Sequence, residues 1–188
     1  ILKQQEAAAS CGSGSAKVDA LLQYLEEDRQ ADGTIKSVII SQFVVMLRVL
    51  EAALIAKGFR PLVFDGSLDI KAREGHMRTF RESPEHTVML LSLRAGGVGI
   101  NLTAACRVYN CDPWWNPAVE AQAIDRVHRL GQTRDVRAIR LIARNTVEEK
   151  MLALKEKKEK LMELVHGGTE RSSDNRQARL DDIRMLLS

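Results

Sequence analysis

One stretch constrains this chain more than any other: Ser92 to Gln132, SLRAGGVGINLTAACRVYNCDPWWNPAVEAQAIDRVHRLGQ. Its start predicts a strand running into a glycine-rich loop, and its end predicts a helix. Asn116 suits the N-cap and Pro117 the first helical position. Gly131 suits the stop. At about 100° per residue, Gln122, Asp125, Arg126 and Arg129 share one helical face. Val119, Ala123, Val127 and Leu130 form the neighbouring apolar face. The polar group is therefore expected to point outward from a helix whose other side is packed.

Two arginines held on one rigid helix suit stabilisation of phosphoryl-transfer charge. A planar, permanently charged guanidinium bridges phosphate oxygens in two-pronged fashion. Supplied from outside a nucleotide pocket, such a group raises turnover by about 10³- to 10⁵-fold. Spacing alone fits a solvated helix face with an Asp/Arg pair equally well.

The 188 residues leave room for one domain, or one with a short appendage. A hydrophobic content of 45% supports a real core, and aromatics at 4% make that core aliphatic. A net charge of +3 excludes a strongly basic nucleic-acid binder, so any such site must be local. Arginines do cluster from Arg126 to Arg144. Cys11, Cys106 and Cys111 form no CxxC, and read as free thiols in a reducing compartment, with no metal site. No apolar run is long enough to span a membrane, and no signal peptide is evident. The start at Ile1, without Met, suggests a piece of a longer protein.

Taken in order, residues 1–14 are small and polar and read as a linker or mobile lead-in. Ser15 opens a helix carrying Val18, Leu21, Leu22 and Leu25, with Lys17 read as an exposed first-turn lysine. Ser37 to Ser41 (SVIIS) is a strand. The helix after Gln42 and Phe43 is too apolar on every side for a surface helix, and Gly58 caps it. Arg60 to Phe64 is a second strand, Asp65-Gly66-Ser67 a tight turn. Asp69 caps a helix through Arg81 with Ile70, Met77 and Phe80 inward. Val88 to Ser92 delivers the loop Leu93 to Gly99, whose glycines let the backbone approach a partner. Arg107 to Cys111 and Val136 to Ala143 are further strands. Thr146 begins a capping box with Glu149. Strands alternating with helices over short connections imply a parallel sheet between helices, an α/β fold. The expected boundaries are 15–165 for the domain with a C-terminal helical extension, 166–178 for a mobile linker and 179–188 for a short terminal helix.

SLRAGGVGINLT followed by DPWWNPAVEAQAIDRVHRLGQ closely resembles motifs V and VI of the SWI/SNF-type branch of helicase superfamily two, DNA-dependent ATPases that track along duplex DNA. IISQF resembles motif IV, and FDGSLDIKAR recurs in the family. The resemblance covers most of Ser15 to Leu164. DPWWNPAVE and RVHRLGQTRDV are most similar to the subgroup that includes helicase-like transcription factor and the yeast repair ATPases with an inserted RING domain. A dinucleotide fingerprint is not met, because Leu102 stands where the third glycine of GxGxxG would be.

The resemblance implies a RecA-like lobe, the second of the two in such motors. ATP and Mg²⁺ would sit mainly on the first lobe, since neither GxxxxGK[ST] nor an acidic DExH pair occurs here. Alone, this chain is expected to hydrolyse no ATP. The catalytic arginines would be Arg126 and Arg129, with Gln122, Asp125, Gly97 and Gly99 in the ATP-binding set. The superfamily pattern QxxGRxxR has Asp125 in place of glycine, as the SWI/SNF branch does. The DNA backbone would meet Ser41, Gln42, Ser67, Ser92, Arg94, Thr103 and Trp115. For Ser41 and Gln42 hydrogen bonding at a strand end fits equally, and for Trp115 so does a core plug. Arg94 stands where the family more often has Lys, which leaves the geometry of its contact open. The implied partners are double-stranded DNA and the first lobe of the same chain, with nucleosome or ubiquitin machinery met through further domains. The implied setting is DNA repair or chromatin remodelling in the nucleus. Alternatives are a non-hydrolysing DNA-binding or docking lobe and an RNA helicase lobe, although RVHRLGQ differs from HRxGRxxR. A small-molecule α/β enzyme finds no Ser/His/Asp or Cys/His arrangement.

Overall fold

The computed structural model describes residues 3–6, 15–93, 95, 99–114 and 117–154. The expected linker 166–178 and terminal helix 179–188 lie outside the described residues. Six strands, β1 (Lys3–Glu6), β2 (Ser37–Ser41), β3 (Leu62–Phe64), β4 (Val88–Ser92), β5 (Arg107–Asn110) and β6 (Arg137–Arg140), form one parallel sheet. The order is β1-β6-β5-β2-β4-β3, with β2 registered on both neighbours as Ser37↔Val88 and Ser37↔Arg107. Four helices, α1 (Ala16–Ala31), α2 (Val44–Ala56), α3 (Ile70–Glu82) and α4 (Pro117–Asp125), connect the strands. Residues 147–154 are also helical.

Strand residues alternate between two cores, because successive side chains leave opposite faces of a pleated strand. Ile39, Leu90, Tyr109 and Ile139 pack with Leu21, Leu25, Leu47, Leu50 and Leu54 of α1 and α2. Val38, Ile40, Met89, Leu91, Val108 and Ala138 pack with Phe80 of α3 and Ala123 of α4. The sheet is thus covered on both faces, which is why SVIIS and VMLLS are buried at every position. Asp69 caps α3 as its spacing predicts, its carboxylate accepting from Ala72 N at 2.7 Å.

Four expectations are corrected. Residues 3–6, read as lead-in, are a strand pairing in parallel with β6. Backbone hydrogen bonding on an open sheet edge needs no apolar sequence, so composition carries no sign of it. Helix α2 is an outer-layer helix after all: Leu47, Leu50 and Leu54 are fully buried while Val45 and Ile55 stay 77% and 58% exposed. Only one face of it reaches the sheet. Ile70, placed inward by periodicity, is 79% exposed at the first position of α3, whose buried residue is Phe80 near its other end. Lys17 is not an exposed lysine, since its side chain is only 13% exposed within an ion cluster described below.

Candidate functional site

The arginine pair sits where α4 gives way to a turn. The helix ends at Asp125, not at Leu130. Its backbone ladder is interrupted by distant groups. The Arg126 carbonyl accepts from Leu102 N at 2.9 Å. The Gln132 side-chain amide donates to the Val127, Ala105 and Thr103 carbonyls at 3.1, 2.7 and 3.2 Å. These acceptors are no longer available to the next helical turn, so the chain coils instead, and Gly131 closes the turn at φ 100°. Gln122 and Asp125 therefore lie exposed on α4, while Arg126 and Arg129 lie in the turn beyond it. The single helical face expected for all four is not formed. Val127 is fully buried and anchors the turn. Leu130, expected on the packed face, is 99% exposed for the same reason.

Neither arginine has a side-chain partner among the described residues. Arg126 is half-buried, and its Nε is buried without a hydrogen bond. Arg129 is exposed, as is His128. By contrast, Arg134 pairs with Asp32, Arg140 with Glu120 and Arg107 with Asp28. Unpaired guanidinium groups beside paired ones are the groups able to meet an external anion.

The entrance to α4 is braced by charge. Glu120 is 4% exposed; one carboxylate oxygen accepts from Trp114 N at 2.8 Å, the other from Arg140 Nη2 at 2.9 Å. Behind this brace a cavity of about 280 Å³ is lined by Ile40, Leu93, Val108 and Ala123 among others.

At the carboxyl edge of the sheet, the serine expectations divide. Ser41 is fully buried, and its hydroxyl donates to Asp112 while accepting from Phe43 N at 3.0 Å. Ser92, its register partner on β4, is 3% exposed. Both serines, expected at a DNA backbone, are thus enclosed in this structure. Two-sided burial of the central strands reaches to their last residues. Ser67 is exposed, but its N–H and hydroxyl both donate to Asp65 Oδ1. That hydroxyl bond, above all, holds the Asp65 carboxyl below its ordinary value. In this structure both donors of the turn are therefore taken by a carboxylate. Gln42 and Thr103 are partly exposed, and Gly99 is exposed with φ 29°. Gly97, Arg94 and Trp115 lie outside the described residues.

Sequence reasoning missed the polar cluster beside this edge. Lys17 Nζ donates to the Cys111 carbonyl at 2.6 Å and to Glu148 Oε1 at 2.5 Å, and lies 4.0 Å from Asp112 Oδ1. Asp112, 7% exposed, takes Ser41 Oγ and Gln42 N. The only local signal was a lysine in the first turn of α1, where a helix end does not favour a cation. Burial beside this cluster also pushes the Cys111 thiol up to about 12, so it is inert as a nucleophile.

The family profile of the helicase conserved C-terminal domain matches residues 16–131, from the start of α1 to the glycine that closes the arginine turn. The chain belongs to that family. This helicase C-terminal lobe is 46% identical, over 96% of its length, to the putative SWI/SNF-related matrix-associated actin-dependent regulator of chromatin subfamily A member 3-like 1 of Arabidopsis thaliana, and covers 20% of that protein. It is 44% identical to DNA repair protein RAD5B of Arabidopsis thaliana over 92% of its length and 13% of RAD5B. It is 42% identical to helicase-like transcription factor of Homo sapiens over 93% of its length and 18% of that protein. The chain thus spans a fifth or less of these curated relatives. The crystal structure of the C-terminal part of the Fun30 ATPase domain matches with a TM-score of 0.73 at 30% identity, over 92% of this chain and 53% of that one. The RecA-like lobe expected from the motifs is therefore the fold of the chain, and the SWI/SNF-type resemblance holds.

Proposed function

We propose that this lobe is the second motor lobe of an ATP-dependent double-stranded DNA translocase working in DNA repair or chromatin remodelling. ATP, bound with Mg²⁺ mainly by a first lobe, would supply the phosphoanhydride to be cleaved, and the metal would neutralise its phosphates. The residues here suit a partner role and not a primary pocket: no phosphate-cradling GxxxxGK[ST] occurs in the chain. Arg126 and Arg129 would complete the site when the lobes close, stabilising charge on the transferring phosphoryl group. Gln122 and Asp125, on the last turns of α4, would orient them. Gln42 and Thr103 would meet the DNA backbone without reading sequence, as would Arg94 and Trp115. Alone, the lobe would hydrolyse no ATP.

The observation that carries this reading is the arginine turn itself. Two guanidinium groups without side-chain partners among the described residues stand on a turn fixed by buried Val127 and by the three bonds of Gln132. A held backbone turn that presents charge without a local partner suits electrostatic stabilisation of an incoming phosphoryl group.

The test is the ATPase rate of the complete protein, with and without duplex DNA, for wild type, Arg126→Ala and Arg129→Ala, with DNA binding measured in parallel. Hydrolysis is expected to fall by about 10²-fold or more while DNA affinity holds. Normal hydrolysis by both variants would make the arginine turn structural and the chain a DNA-binding or docking lobe. Stimulation by RNA in place of duplex DNA would favour an RNA helicase.

A further inference from the structure

We propose that Lys17 is a positioning residue for the arginine turn, tying the helix at 147–154 to the loop that launches α4. This rests on the reading that Arg126 and Arg129 act on a nucleotide.

The cluster runs as a chain of charged joints. Glu148 stands at the start of the 147–154 helix, where its Oε2 accepts from Ala143 N at 2.9 Å and its Oε1 from Lys17 at 2.5 Å. Lys17 passes the connection to the Cys111 carbonyl at 2.6 Å, with Asp112 alongside at 4.0 Å. Asp112 holds the end of β2 through Ser41 and Gln42 N. Two residues on, Trp114 N reaches Glu120 of α4, which Arg140 pins to β6. An ammonium has three donors and no acceptor, so acceptors from two chain segments converging on it fix their relative place.

Stability alone does not call for such an arrangement. A well-packed apolar side chain of similar volume commonly stabilises as much as a buried ion pair. A matched pair elsewhere on α1 makes the contrast. Asp28 and Arg107 are 3.0 Å apart and similarly buried, yet none of their side-chain hydrogen bonds reaches α4 or the loop before it. What distinguishes Lys17 is its route. One of its acceptors, the Cys111 carbonyl, opens the segment that runs into α4, and α4 leads straight into Arg126. A displacement of about 1 Å in a positioning element can cost about 10²-fold in rate.

The experiment uses the complete protein and compares wild type with Lys17→Met, Glu148→Ala, their double variant, Arg107→Met, Arg126→Ala and Arg129→Ala. The readouts are kcat and KM for ATP with saturating duplex DNA, DNA affinity, and the melting temperature. Lys17→Met is expected to lower kcat by about tenfold or more, with KM and DNA affinity within about twofold. Glu148→Ala should lower kcat less, and the double variant no further than Lys17→Met alone, since one path is broken once. Arg107→Met should lower the melting temperature and keep kcat. Lys17→Met that loses melting temperature but keeps kcat, as Arg107→Met does, overturns the proposal. Should Lys17→Met fail to fold, Glu148→Ala decides, and a wild-type kcat for it overturns the proposal too. Collapse of Arg129→Ala beside a wild-type Lys17→Met rejects positioning while leaving the motor reading intact. A wild-type rate for Arg129→Ala, with Arg126→Ala also at the wild-type rate, rejects the motor reading, and this inference with it.

Discussion

Replacing Tyr109 by Phe removes one hydroxyl from the middle of β5 and almost nothing else. The ring is fully buried and keeps its packing, so no cavity opens. The hydroxyl donates to Asp28 Oδ2 at 2.6 Å, while Asp28 Oδ1 accepts from Arg107 Nε at 3.0 Å. A hydrogen bond to a charged group contributes about 1.5–3 kcal/mol. Arg107 still pairs with Asp28 in the variant, which argues for the low end, about 1.5–2 kcal/mol. For a chain of this size that lowers the melting temperature by about 3–8 °C. The pH dependence separates this bond from general packing. Burial first, and the Asp28 hydrogen bond second, hold the Tyr109 hydroxyl far above its ordinary value of 10.0. The folded state therefore keeps a proton that the unfolded chain releases. That stability is present below about pH 10 and is lost as pH rises further, at up to about 1.4 kcal/mol per unit. Tyr109→Phe has no such proton to lose. Urea unfolding of both forms should show the gap at about pH 8 and its narrowing to under about 1 kcal/mol near pH 11. A gap that stays constant or widens above pH 10 would refute the argument, as would equal stability at about pH 8.

Two further predictions concern exposed positions. Asp32 is held down to about 2 by the Thr34 hydroxyl, the Thr34 N–H and Arg134. Its carboxyl resonance should titrate with a midpoint near that value, and in Thr34→Val should move back toward the ordinary 3.8; an unchanged midpoint would contradict the assignment. Because this folded-state value is depressed, its support is present above pH 3.8 and disappears as pH falls through about 2. Gly131 adopts φ 100° in open space, so Gly131→Ala should destabilise by about 1–2 kcal/mol in denaturant, from backbone strain alone. Gly66→Ala, also in open space but without a left-handed φ, should change stability by less than about 0.5 kcal/mol; equal effects at the two sites would defeat the strain argument.

Much of the architecture was readable locally. SVIIS and VMLLS carry the continuous apolar signature of strands buried on both faces. Asp69 stands three residues before the amide it caps. The glycines, the arginines and their order lie within one contiguous stretch, so its resemblance to the motifs of the SWI/SNF-type branch was enough to indicate a RecA-like lobe. The edge strand at Lys3–Glu6 was not readable, since its pairing with β6 is made by backbone and is indifferent to side-chain type.

The amino-acid sequence by itself determined which segments could bury themselves and which residues carry phosphate-suited charge. Tertiary structure alone decided where the arginine helix ends and which polar groups stay available. Leu102 N and the Gln132 amide take the carbonyls that a continuing helix would have used. Asp112 takes the Ser41 hydroxyl from a position 71 residues away, Asp65 takes both Ser67 donors, and Lys17 is drawn inward by acceptors 94 and 131 residues distant. Periodicity reports the face a residue occupies if its helix continues. Competition among hydrogen-bond partners brought together by folding decides whether it does.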